Sequence, residues 1–229
     1  VVVDGMEEGD MRLAAQAVFA AHASGRRFVI RSAASLVQAL CGQPGWPPLR
    51  PEALRDAGGS GGLVVVGSHV ARTNAQLEAL RSCPGTWVEF RVDADPASEQ
   101  ICAAEAVETA LRRGETAVFY TSRTVAASGT PEEQLAFSAG VSRAVAGVVR
   151  RLAVRPRFLI AKGGITSCDV GILGLSAQRA RVLGCAVPGA PVWQLGPESK
   201  FPGLPYIIFP GNVGQADTLA RLVTDLTQG

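Results

Sequence analysis

Short apolar runs alternate with amphipathic stretches along most of this 229-residue chain, and that alternation gives the first reading of its fold. Val1-Val2-Val3 ends in Asp4 and reads as a strand. Residues 10–23 follow as a helix stopped at Gly25. Residues 27–30 are the next strand candidate, and residues 33–40 a short helix. Residues 42–51 and 56–62 are rich in Gly and Pro, which break regular structure and mark a linker between two domains.

The second half opens on Leu63-Val64-Val65-Val66, a β-branched strand that stops at Gly67. A helix over residues 73–81 follows, then a strand over 87–92, where apolar and polar positions alternate as on a half-buried strand. Residues 98–113 read as a helix ending at Gly114, and residues 116–120 as a strand running into Thr121-Ser122-Arg123. Thr130-Pro131-Glu132-Glu133 is the clearest helix start in the chain. A capping hydroxyl comes first, Pro takes the first helical position, and Glu stands three residues after the cap. That helix extends to about residue 152, because Pro156 cannot continue it. Residues 158–161 then form a strand into Lys162-Gly163-Gly164.

Strands alternating with helices of this length predict parallel βαβ units with helices on both sheet faces. Near the end, residues 179–183, 192–195 and 206–209 are short strands between Gly/Pro turns, the pattern of an antiparallel extension, and residues 217–226 close the chain as a helix. The expected class is α/β: a mainly parallel sheet with flanking helices and a short antiparallel C-terminal extension, preceded by a partial α/β domain.

Composition narrows the function. Hydrophobic residues make up 47% and charged residues 18%, a globular balance. The net charge of +2 gives no case for nucleic acid or a membrane surface as partner. Apolar runs such as Leu63-Val64-Val65-Val66 fall far short of the roughly 18 residues of a membrane helix. No basic stretch precedes an apolar one at the start, so no signal peptide is read. No Met opens the chain, which is expected to be a fragment or a processed product. The five cysteines show no C-x-x-C spacing and only two histidines accompany them, so no metal site is expected and the thiols read as reduced, in a cytoplasmic protein.

Ligands of parallel α/β sheets bind beyond the carboxyl ends of the strands. Three stretches place small or hydrogen-bonding residues there. In Lys162-Gly163-Gly164-Ile165-Thr166-Ser167-Cys168-Asp169 a strand runs into two glycines, and hydroxyl residues then open a helix. Glycines let the backbone approach an anion closely, and the free N–H groups of a first helical turn point at it. Thr166 and Asp169 also fit a capping box, which needs no ligand. The spacing matches neither a P-loop nor a dinucleotide fingerprint, which argues against a Rossmann-type NAD enzyme. Gly67-Ser68-His69 is the second stretch, in which Ser68 suits either a helix cap or a ligand. Phe209-Pro210-Gly211-Asn212-Val213-Gly214 is the third, read as a tight turn or a cover over a nucleotide. The irregular residues 196–205 have the length of a functional or mobile loop.

Taken in order, these residues resemble the four-carbon acid-sugar kinase family. Lys162-Gly163-Gly164-Ile165-Thr166-Ser167 with Asp169 resembles its glycine-rich segment. Gly196-Pro197-Glu198-Ser199 followed by Phe201-Pro202-Gly203-Leu204-Pro205-Tyr206, the Gly211 loop, and Gly67-Ser68 after a valine strand are similar to three further family segments. Val1 to Asp4, Asp10 and Arg31-Ser32-Ala33-Ala34-Ser35 look like the end of the family's substrate domain. That domain normally opens with paired aspartates and a Thr-Gly-Ala turn, which this sequence lacks; the chain is either cut or a degenerate member.

The resemblance implies residues 1–45 as a remnant of the substrate domain, 46–62 as linker and 63–229 as the nucleotide-binding domain. It implies ATP and Mg2+ as cofactors and phosphorylation of the terminal hydroxyl of threonate, erythronate or 3-oxo-tetronate. Ser68, Gly163, Gly164, Ile165, Thr166 and Gly211 would contact ATP, Lys162 would balance phosphate charge, and Asp169 is the local candidate for the general base. The alternative is an ATP-binding module that transfers nothing because its substrate domain is incomplete. A homo-oligomer is compatible with the sequence.

Overall fold

The computed structural model of the chain describes residues 1–123 and 130–228, which fall into two compact units, Val1–Pro47 and Pro48–Gly229. The first unit holds α1 (Glu8–Ala23) packed against α2 (Ala34–Leu40). Asp10 fixes the start of α1 by accepting from the backbone N–H groups of Met6 and Glu7 at 2.8 and 3.0 Å, and those bonds hold its carboxyl below the usual range. The strands expected at residues 1–4 and 27–30 do not form; both segments are irregular and exposed. A strand is stable only beside a paired neighbour, and residues 1–47 supply no sheet for either run to join.

The second unit is built on seven strands: β1 (Gly62–Val66), β2 (Thr86–Phe90), β3 (Thr116–Thr121), β4 (Phe158–Lys162), β5 (Ala180–Val187), β6 (Ala190–Leu195) and β7 (Pro205–Phe209). They lie in the order β2-β3-β1-β4-β7-β6-β5. The first five are mutually parallel. β5 and β6 form an antiparallel hairpin, and β6 runs antiparallel to β7. The antiparallel extension is therefore that hairpin alone; β7 belongs to the parallel sheet.

Between the strands run α3 (Ala71–Leu80), α4 (Pro96–Arg112), α5 (Pro131–Arg151) and α6 (Gly164–Asp169), and α7 (Thr218–Thr227) follows the last strand. A π-helical turn, Val170–Gly174, prolongs α6. The Thr130 signal is realised as a capping box: Thr130 Oγ1 accepts from Glu133 N at 3.3 Å, and the Glu133 carboxylate accepts from Thr130 N at 2.7 Å.

α3 packs beside α7, and α4 beside α5. Two apolar cores result, one on each sheet face. Leu63, Val65, Leu159 and Ala161 enter the α4/α5 core, whereas Val64, Val66, Phe158 and Ile160 enter the α3/α7 core. The period-2 alternation of a strand thus splits each continuous apolar run between two layers. From Pro48 onward the Gly/Pro-rich segment packs on this unit. Leu54 is buried, Asp56 pairs with Arg155, and Leu49 N donates to Cys185 O at 2.8 Å along the β5 edge. The five cysteines are free thiols, and no helix among the described residues is long and apolar enough to cross a membrane.

Candidate functional site

β1 leads through α3 on one face toward β2, and β4 leads through α6 on the other face toward β7. Adjacent strands whose connections depart to opposite sides leave a crevice between their carboxyl ends. Here that crevice lies between Gly67-Ser68-His69 and Gly163-Gly164-Ile165-Thr166, the two stretches singled out in the sequence. Together with Val92 and the α5 side chains Phe137, Ser138, Val141, Ser142 and Val145 they line a cleft of about 440 Å³. A larger open groove of about 710 Å³ runs between α4 and α5, but it includes no residue from the strand-end loops.

The loops meet at van der Waals distance. A Cβ on Gly163 would lie 2.9 Å from Ser68 Cβ and 3.1 Å from Thr166 Oγ1, and one on Gly67 would overlap Thr166 Oγ1. Gly163 also sits at φ 119°, open in practice only to glycine. Gly164 differs: it is exposed, helical, and no atom would lie within 4 Å of an added Cβ. The third stretch closes from the α3 side, where a Cβ on Gly211 would lie 3.1 Å from both Ser68 Oγ and Val70 Cγ2.

Three of these expectations change in the structure. Thr166 is not the helix cap; that place falls to Gly163, and Thr166 lies buried in the first turn of α6. Residue 166 enters the helix early because Gly163 already supplies the backbone turn. Lys162 does not line the cleft. Strand alternation turns it to the α3/α7 face, where it is fully buried and donates to Pro210 O at 2.7 Å and Gly211 O at 3.2 Å. Burial, with Arg72 nearby as the lesser cause, pulls its pKa down to about 8. Asp169 ends α6, five residues past Gly164 and so about 7.5 Å further along the axis, and is not part of the cleft wall.

Residues 196–205 lie at the opposite edge of the sheet, where β7 begins. Gly196 N donates to Arg179 O at 3.0 Å, Lys200 N to Leu175 O at 2.7 Å, and Arg155 Nη2 to Pro202 O at 2.9 Å. The Glu198 carboxylate accepts from Gln178 N and Arg179 N, and its own backbone N–H first, then these bonds, hold it below the usual range. The stretch is a clasp on the fold and sits away from the crevice.

Other contributors carry no motif. Thr73 and Gln76 are polar yet fully buried on the inward stripe of α3, with Leu77 and Leu80. Thr73 Oγ1 donates to Gly211 O at 3.3 Å, and Gln76 Nε2 to Val213 O and Gln215 O at 3.0 and 2.7 Å. Two polar residues at i and i+3 on an otherwise apolar stripe are the sequence signal for them. Arg123, at the end of β3, donates to Ser68 O at 2.6 Å and fixes the first loop from behind. His69 lines the cleft, with Nε2 3.1 Å from Ser122 O.

A doubly wound α/β domain whose strand-end glycine loops converge at the switch point is the architecture of a nucleotide-binding domain. The chain belongs to the nucleotide-binding C-terminal domain family, whose model matches residues 63–219. Its solved neighbours include proteins of the DUF1537 group, which is the four-carbon acid-sugar kinase family. A Bordetella bronchiseptica member with bound citrate, a domain-swapped dimer, is 21% identical with a TM-score of 0.61; the match covers 98% of this chain and 52% of that one. A Haemophilus influenzae member is 18% identical, with a TM-score of 0.57 and coverage of 97% and 52%. A Salmonella typhimurium LT2 protein provisionally described as a tRNA synthase is 17% identical, with a TM-score of 0.60 and coverage of 96% and 50%. The chain thus spans about half the length of these structures. Among curated proteins, none matches the sequence.

Proposed function

We propose that this chain is the ATP-binding half of a kinase that phosphorylates the terminal hydroxyl of a four-carbon sugar acid such as threonate, erythronate or 3-oxo-tetronate. The observation that carries the reading is the convergence of Gly67-Ser68, Gly163 to Thr166 and Gly211 at the switch point, within the span of a nucleotide-binding family. In it, the first-turn N–H groups of α6 take the phosphates, Gly164 leaves them room, and Ser68 and Thr166 offer hydroxyls. Lys162 contributes charge from behind the loop rather than by contact. Asp169, at the far end of α6, lies outside the cleft wall.

Magnesium needs carboxylates or phosphates as ligands. The described cleft wall holds no carboxylate, and no group of three or more His, Cys, Asp or Glu suited to a metal occurs among the described residues. The described residues therefore do not fit a magnesium site, and the ion would enter on the nucleotide's phosphates. The same lack of a carboxylate favours the second reading, an ATP-binding module whose acceptor-activating group lies outside this chain. The setting of the reaction would be the cytoplasm, consistent with five free thiols. Self-association belongs to the same proposal, supported by the dimeric Bordetella relative and by the exposed Met6, Phe19 and Trp46 of the first unit.

Calorimetry of the chain with ATP–Mg2+ tests the site: binding is expected, and its absence overturns both readings. A coupled ADP-release assay with threonate and erythronate then separates them, since turnover favours the kinase and binding without turnover the module.

A further inference from the structure

The loop over residues 210–215 is held almost entirely through its carbonyls. Lys162 takes those of Pro210 and Gly211, Thr73 shares that of Gly211, Gln76 takes those of Val213 and Gln215, and Arg72 takes that of Gly214 at 2.6 Å. The N–H groups of Gly211, Asn212 and Gly214 find no acceptor among the described residues. Three of the four holding side chains come from α3. Lys162 comes from β4, the strand that also carries the glycine turn, so of these four side chains it is the one that ties this loop to the other wall of the crevice. Its ammonium lies 4.3 Å from the centre of the Phe209 ring, directly across the β4–β7 register. No carboxylate from β4, β7, α3 or the loop forms an ion pair with it among the described residues, and the charged group nearest in effect is Arg72.

We infer that Lys162 is a positioning residue for the nucleotide crevice: it acts through the backbone of Pro210 and Gly211, locking the last loop against Ser68 and placing an uncompensated positive charge behind it. The inference rests on the nucleotide reading of the crevice. It separates two effects that a phosphate-contacting lysine would merge. A neutral amine keeps N–H donors for both carbonyls, so deprotonation leaves the loop in place and removes only the charge. Replacement by an apolar side chain removes both.

The test uses Lys162→Met in the same chain, with amide hydrogen exchange on the unliganded protein and ATP affinity from pH 6.5 to 9. Exchange at Val213 and Gln215, the loop amides that donate to Pro210 O and Thr218 Oγ1, is expected to rise at least tenfold in the variant, while residues 158–161 stay protected. Wild-type affinity is expected to fall severalfold as pH passes through about 8, with loop exchange, corrected for its intrinsic pH dependence, unchanged. The variant should bind about tenfold more weakly with no such step. If loop exchange and affinity both match wild type, the inference is overturned. If the wild type binds no ATP, the nucleotide reading fails while the exchange result still decides the lock. Should the Met variant not fold, Lys162→Gln, which keeps donors for a carbonyl, takes its place: intermediate exchange and affinity support the lock, and wild-type values overturn it.

Discussion

Substituting the two adjacent glycines one at a time separates fold from ligand. Gly163 stands at φ 119°, where an L side chain is strained by about 1–3 kcal/mol. A Cβ there would also press to 2.9 Å on Ser68 Cβ and 3.1 Å on Thr166 Oγ1. Adding that overlap, Gly163→Ala should destabilise the chain by about 3 kcal/mol. For a domain of this size that is roughly 6–12 °C in melting temperature, at about 2–4 °C per kcal/mol. Gly164 carries neither penalty. Its backbone is helical and a new side chain meets no atom within 4 Å, so Gly164→Ala should leave stability unchanged or raise it by up to about 1 kcal/mol. Gly164→Phe should also fold, yet its ring would occupy the space in front of the first α6 turn and weaken ATP at least a hundredfold. Thermal denaturation and calorimetry on the three variants read both quantities. A stable Gly163→Ala would refute the strain argument. A Gly164→Phe variant that binds ATP like wild type would refute the position of the crevice.

Other tests reach further from the loop. Burial lowers the Lys162 pKa from 10.5 to about 8, so between those values the unfolded chain binds the extra proton and stability must rise with pH. The rise should total about 3 kcal/mol and be missing in Lys162→Met, as denaturant titrations at pH 7.5 and 10 would show. The nearly buried carboxylate of Glu99 accepts from Arg91 N, Nε and Nη2, and chiefly that guanidinium holds it below its usual range. Glu99→Ala should cost about 2 kcal/mol at pH 7, and the difference from wild type should shrink as the pH falls below the usual carboxylate range and the wild-type carboxyl takes up a proton; a gap that persists at pH 2 would exclude the ionic cause. Tyr206 OH donates to Ser167 O at 2.7 Å in the core, so Tyr206→Phe should cost about 1–2 kcal/mol in denaturant unfolding and loosen α6.

What could be read in the sequence follows a physical line. Strands and helices of the second unit were legible because each carries its own period and its own stop: Gly67 after β1, Gly114 after α4, Pro131 at the head of α5. The strands expected at Val1 to Asp4 and at residues 27–30 failed because β-structure is decided by partners, which a local run does not contain. The loops of the crevice were visible as glycines at strand ends, and their order gave the family. The direction of Lys162 was implicit in the parity of β4, since Ala161 faces one layer and residue 162 the other, but only pairing with β7 shows what it meets there. Residues 196–205 show a different limit. Length and charge mark a loop as irregular, whereas its edge of the sheet depends on β6 running against β7.

In the proposed nucleotide crevice the glycine turns offer main-chain donors beside the Ser68 and Thr166 hydroxyls, and the side chains behind the last loop mostly grip carbonyls. Every residue type except proline brings an amide, so such a pocket is specified by the path of the chain more than by the letters along it. Relatives at 17–21% identity that share the fold are what such a specification allows. Drift then has two very different costs. Letters on the α5 wall, such as Phe137 and Ser138, can change and retune what fits. A change at Gly163, or at a side chain that clamps the loop backbone, bends the path itself and removes the pocket.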